Sequence, residues 1–115
     1  MDEKVTRQTA FKRADALAQA VMAASRTWPA QERSLYSEIR QAALRTPALV
    51  AAAAARDTET ASREALYKAL EAACSAEYLL YLAAKRLPDT AGKLAALASE
   101  AREAIQDHIA AMRLG

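Results

Sequence analysis

Apolar side chains recur three and four positions apart along most of the chain, and that spacing predicts four helices. The first helix is expected over 9–27, with Phe11, Ala14, Leu17, Val21, Ala24 and Trp28 on one face. Pro29 biases Trp28 away from helical dihedrals and sets its end. The second is expected over 32–55, with Leu35, Ile39, Ala42, Thr46, Leu49 and Ala53 inward. Pro47 lies inside that pattern and lacks the amide that would bond the Ala43 carbonyl, so a kink is expected there. The third is expected over 59–86, opened by Thr58 as N-cap. Its stripe is Leu66, Leu70, Ala73, Glu77, Leu80, Ala84 and Leu87, and Glu59–Arg63 and Glu64–Lys68 have favourable helical spacing. The fourth is expected over 90–113, capped by Asp89, with Leu94, Leu97, Ala101, Ile105, His108 and Met112 inward. Four such helices joined by short links predict a single all-α domain over 1–115, an antiparallel up-down four-helix bundle with helix 2 kinked at Pro47.

Two helices carry more apolar surface than one core face needs. Helix 2 has a second stripe of Tyr36, Ala43, Pro47, Val50 and Ala54, and helix 3 has one of Tyr67, Cys74, Tyr78 and Tyr81. Helices apolar on every side are normally buried, and Tyr, with an apolar body and a polar tip, is enriched at interfaces. The expected oligomer interface is therefore Tyr36, Pro47, Val50, Ala54, Tyr67, Tyr78 and Tyr81, which implies a homo-oligomer.

Composition sharpens this picture. Of 115 residues, 32 are Ala and none is Asn, with 2 Gly, 3 Pro and 1 Cys. These numbers exclude a turn-rich β fold, a disulfide framework and a cysteine-ligated zinc site. Cys74 reads as a small buried side chain in a reducing compartment. The charged start Met1-Asp2-Glu3-Lys4 is unlike a signal peptide, and the longest apolar run, Pro47 to Ala55, is far short of the ~20 residues that span a bilayer. A soluble, cytoplasmic protein without a membrane partner is expected. Net charge is +2, unevenly spread: residues 1–56 carry nine basic and five acidic side chains, and residues 57–115 seven and nine.

Little in the chain points to catalysis, and no catalytic residue, metal site or cofactor is expected. The single His108 falls on a core stripe, and the neighbouring Asp107 points about 100° away around the helix. A di-iron bundle needs Glu-x-x-His on two helices, and position 105 is Ile. Glu77 in a core stripe needs a partner, and Arg40 across the helix 2–helix 3 hairpin is the expected one, as a structural ion pair. Arg26, Arg33, Arg45 and Arg56 form the candidate nucleic-acid-binding set around helix 2, without the interleaved aromatics that stack on bases. The function expected from these features is a non-enzymatic oligomeric scaffold that binds structured RNA or a nucleic-acid-handling protein. The alternative is a purely structural or protein-partner interaction module with no nucleic-acid binding.

Several blocks match a known pattern with unbroken spacing: Phe11-Lys12-Arg13-Ala14, Trp28-Pro29 followed by Glu32-Arg33, Glu38-Ile39-Arg40-Gln41-Ala42-Ala43, then Pro47, Tyr67-Lys68-Ala69-Leu70 and Glu77. Over roughly Phe11 to Leu87 the chain resembles the bacterial four-helix-bundle proteins encoded in intervening sequences of large-subunit ribosomal RNA genes. These are similar in turn to the accessory protein of diversity-generating retroelements, which partners a reverse transcriptase and binds nucleic acid. The resemblance implies a five-fold ring of bundles, a homo-pentamer, with RNA or DNA as partner. One departure stands out: where the family carries Asn and then Ala-Glu-Gly beyond the helix proline, this chain has Leu49 and Ala51-Ala52-Ala53.

Overall fold

The computed structural model describes residues 2–114; Met1, part of the charged start, and Gly115 lie outside the described residues. Four helices make up the fold: α1 (Glu3–Ser25), α2 (Arg33–Ala54), α3 (Glu59–Ala84) and α4 (Pro88–Leu114), with a single 3₁₀ turn at Ala30–Glu32 before α2. They pack in a cycle, α1 on α2, α2 on α3, α3 on α4 and α4 back on α1, in a rod of 46 × 22 × 18 Å. Thr6 meets His108 and Arg13 meets Glu100 across α1 and α4, while Glu77 meets Arg102 across α3 and α4.

Local chemistry explains the helix ends. Asp2 caps α1 by accepting from the Lys4 amide at 3.0 Å, so the helix starts six residues before the expected position 9. Thr58 caps α3 as expected, accepting from the Ala61 amide at 3.1 Å, and Arg63 pairs with Glu59 at 3.0 Å. Asp89 is not the cap of α4. The helix opens at Pro88, because a missing amide is no loss in a first turn, and Asp89 lies inside that turn, where a carboxylate favours the positive helix end. α2 continues in helical form through Pro47. Just before it, the buried Thr46 hydroxyl donates to the Ala42 carbonyl at 2.8 Å, which satisfies the one polar atom that this residue brings into the core.

The core forms two contiguous clusters along the rod. One gathers Leu17, Val21, Ile39, Leu80 and Leu94 near the α1–α2 and α3–α4 turns; the other gathers Val50, Leu66, Ile105 and Met112 towards the opposite end. Alanines fill the spaces between them, which lets the helices approach closely.

Three stripe assignments need correction. Phe11 is 43% exposed, and Ala10 next to it is the buried residue, because the α1 stripe runs Thr6, Ala10, Ala14, Leu17, Val21 once the helix starts early. On α2, Tyr36, Pro47 and Val50 are buried within the chain, so three of the four expected interface residues of that helix belong to its own core; Ala54 is exposed. The reason is geometric: α2 packs on both α1 and α3, and its buried arc is wide enough to take in both stripes. Cys74 is exposed rather than buried, since Ala72, Ala73 and Ala76 occupy the inward side of that turn.

Removing three carbons from a filled cluster leaves a cavity, so Leu17→Ala is expected to cost about 3 kcal/mol in urea unfolding. Phe11→Ala is expected to cost under ~1 kcal/mol, because that ring stands largely in water. Equal losses would place Phe11 in the core.

Candidate association face and basic surface

The outer face of α3 is the most distinctive surface of the fold. Helix periodicity puts Ala65, Leu66, Ala69, Ala73, Ala76 and Leu80 inward, so Tyr78 and Tyr81 must point outward, and they are 59% and 56% exposed. Their rings lie 6.4 Å apart at 27°, and the Lys85 ammonium sits 5.1 Å above the Tyr81 ring. The three side chains thus form one continuous exposed patch. Tyr67, about three turns towards the N-terminus from Tyr78, is half-buried, and Cys74 lies exposed between.

Glu77 stands beside this face and is not paired with Arg40. Arg102 of α4 reaches it with Nε 2.9 Å from one carboxylate oxygen and Nη2 3.5 Å from the other. Both side chains remain about a third or a quarter in water. The hydrogen bond to Glu77 raises the Arg102 pKa against the opposing cost of burial. Arg40 is exposed on α2, in a groove of about 450 Å³ with Trp28, Arg33 and Tyr36. Glu77 turns to α4 because its place on the helix lies on the flank where α3 meets α4. Arg102 directly follows the buried Ala101, and that adjacency was the available signal for an edge-of-core cation.

The four candidate nucleic-acid arginines are exposed, and the fold does not bring them into one groove. Arg26 caps the end of α1 and Arg33 begins α2. Arg45 points about 120° away from Arg33 around the α2 axis, into a groove shared with Glu38, Glu71 and Tyr78. Arg56 lies at the far end, about 35 Å from Arg33 along the helix. None of the four has an ion pair among the described residues, whereas Arg13, Arg63, Arg86 and Arg102 all do.

Two buried polar groups mark opposite ends of the rod. At the α1–α2 turn, the Trp28 and Tyr36 rings stack at 4.3 Å and 45°, and neither Trp28 Nε1 nor the Tyr36 hydroxyl has a partner among the described residues. Burial raises the Tyr36 pKa, Glu32 adds to this, and Arg86 opposes it. At the other end, Thr6 donates to the Glu3 carbonyl at 2.9 Å, which leaves its oxygen to accept from Nδ1–H of buried His108 at 2.9 Å. The ring borders a cleft of about 430 Å³ with Glu3, Arg7, Arg56, Asp57 and Glu59. Thr6 was missed as a partner because the helix was expected to begin after it.

Among the described residues no group of three or more His, Cys, Asp or Glu could hold a metal ion, and no helix is long and apolar enough to cross a membrane. No protein-family model, curated protein or solved structure matches this chain.

The half-exposed Glu77–Arg102 pair is expected to contribute about 1 kcal/mol, with Glu77→Ala and Arg102→Ala non-additive in a double-mutant cycle and Arg40→Ala neutral. An additive cycle would remove the interaction. For His108, desolvation lowers the pKa from 6.5, Glu3 opposes and Arg7 adds to the shift. Below pH 6.5 the unfolded state then binds a proton that the folded state refuses, so stability is expected to fall as pH drops from 7 to 5. His108→Gln is expected to flatten that part of a melting-temperature profile, and an unchanged slope would assign the loss to other groups.

Proposed function

We propose that this protein is a non-catalytic helical-bundle scaffold that associates with copies of itself, in which the helices run in antiparallel up-down order and α2 bends at Pro47. The contacts Thr6–His108 and Arg13–Glu100 support that order, since the residue number rises on one helix as it falls on the other. The observation that carries the function is the exposed Tyr78–Tyr81–Lys85 patch, large aromatic surface held outside a core that is already filled. The likeness to the ribosomal-RNA intervening-sequence proteins also favours self-association.

A nucleic-acid partner is the second part of this reading. It is supported by the four arginines without ion pairs and by the same likeness. Because these cations are spread over the rod, each copy contributes few phosphate contacts, and binding depends on several copies acting together.

Light scattering is expected to give a mass that rises above 12.4 kDa with concentration. The double substitution Tyr78→Lys with Tyr81→Lys is expected to return it to that value with the helical signal unchanged; a single-chain mass throughout for the unsubstituted protein would overturn the scaffold reading. In low-salt filter binding, exchange of Arg26, Arg33, Arg45 and Arg56 for Gln is expected to abolish retention of RNA. No retention of RNA or DNA by the unsubstituted protein would leave the alternative, a module for protein partners alone.

A further inference from the structure

Outward positions of α3 recur at alternating intervals of four and three: Glu64, Tyr67, Glu71, Cys74, Tyr78, Tyr81 and Lys85. All are exposed except half-buried Tyr67. A 3.5-residue repeat is the spacing by which one helix keeps the same seam against another over several turns. α3 therefore carries two seams, one satisfied by the bundle and one facing water except at Tyr67, which packs against the second core cluster.

Charge along the outer seam is polarised. The acidic side chains are Glu64 and Glu71, in the N-terminal half, and the cation is Lys85, near the C-terminal end. None of the three has an ion pair among the described residues. A second α3 laid parallel and in register would set Glu64 against Glu64, Glu71 against Glu71 and Lys85 against Lys85, three like-charge contacts. Laid antiparallel about a two-fold axis near position 76, it sets Cys74 opposite Tyr78, Glu71 opposite Tyr81 and Tyr67 opposite Lys85, each layer occurring twice. Lys85 then lies between Glu64 and Glu71 of the second copy, one helical turn from each.

Resting on the self-association reading above, we propose that the partner of this face is a second copy of the chain, bound through α3 against α3 in a two-fold antiparallel pair. A closed ring needs two unlike faces on each subunit, whereas an isologous pair needs one surface that complements itself. Three of the four α2 residues expected to supply another face, Tyr36, Pro47 and Val50, are buried in the chain's own core. The outer seam complements itself in charge when laid antiparallel. From Glu64 to Lys85 it extends about 32 Å, a single helix width across, which is narrower than a standard stable interface. The pair is accordingly weak and concentration-dependent, and it loosens with salt.

Sedimentation equilibrium from micromolar to millimolar protein tests this, with far-ultraviolet circular dichroism and the unfolding midpoint as folding controls. The expected result is a reversible approach to twice 12.4 kDa. Lys85→Glu is expected to weaken pairing by about tenfold or more, since it sets like charges together. Adding Glu64→Lys and Glu71→Lys to Lys85→Glu reverses every charge of the seam and is expected to restore the original affinity. Failure of that triple variant to pair, while folded, overturns the antiparallel register. A limiting mass near five copies overturns the two-fold pair and leaves self-association standing. A single-chain mass at every concentration overturns both.

Discussion

The fold depends on the close approach that alanine permits between helices. Among the described residues, sixteen of the twenty-seven core side chains are Ala, and each contributes far less to burial than a leucine. Such a core gains its stability from length, with four helices of more than twenty residues sharing contact along a 46 Å rod. The few large side chains, Leu17, Ile39 and Leu80 in one cluster and Leu66 and Ile105 in the other, set the spacing that the alanines fill. Some polar atoms in this interior are satisfied locally, as for Thr46 against the Ala42 carbonyl, or across two helices, as for Thr6 and His108, while Trp28 Nε1 and the Tyr36 hydroxyl have no partner among the described residues.

Helix number and type were legible from periodicity, because strong helix formers occupy both faces and the breaks at Pro29 and 56–58 are short. Direction around each helix was less legible. Alanine on several sides of α2 leaves the apolar arc broad, and an inner and an outer stripe cannot then be told apart by hydrophobicity alone. That is why Tyr36, Pro47 and Val50 were expected outside and are inside, and why Cys74 was expected inside and is outside. On α3 the tyrosines were separable, because bulky rings opposite a continuous alanine face have nowhere to go but outward. Pairings between helices were the least legible. Glu77 was recognised as needing a cation, but choosing Arg102 over Arg40 required knowing which flank of α3 meets α4.

The candidate arginines and the exposed tyrosines lie on different helices, with Arg45 alone of the four sharing a groove with Tyr78. The arginines without ion pairs are spread around α2 and its two ends, and the exposed tyrosines are gathered on α3. A protein that joins copies of itself along one helix leaves the basic residues of its neighbour open. On the reading proposed above, pairing along α3 leaves Arg26, Arg33 and Arg56 open. The reading of a scaffold with an accessory affinity for nucleic acid is built on that division.

The same division has an optical corollary. Trp28 is the only tryptophan of the chain, and it lies against Tyr36 at the α1–α2 turn, at an indole–phenol separation of 4.3 Å. Tyr78 and Tyr81 occupy another helix and another face. Indole emission therefore reports the opening of the α1–α2 corner, whereas tyrosine absorbance sums over Tyr36 and Tyr67 as well as the exposed pair on α3. Opening of that corner can therefore be followed in the native sequence without any added label.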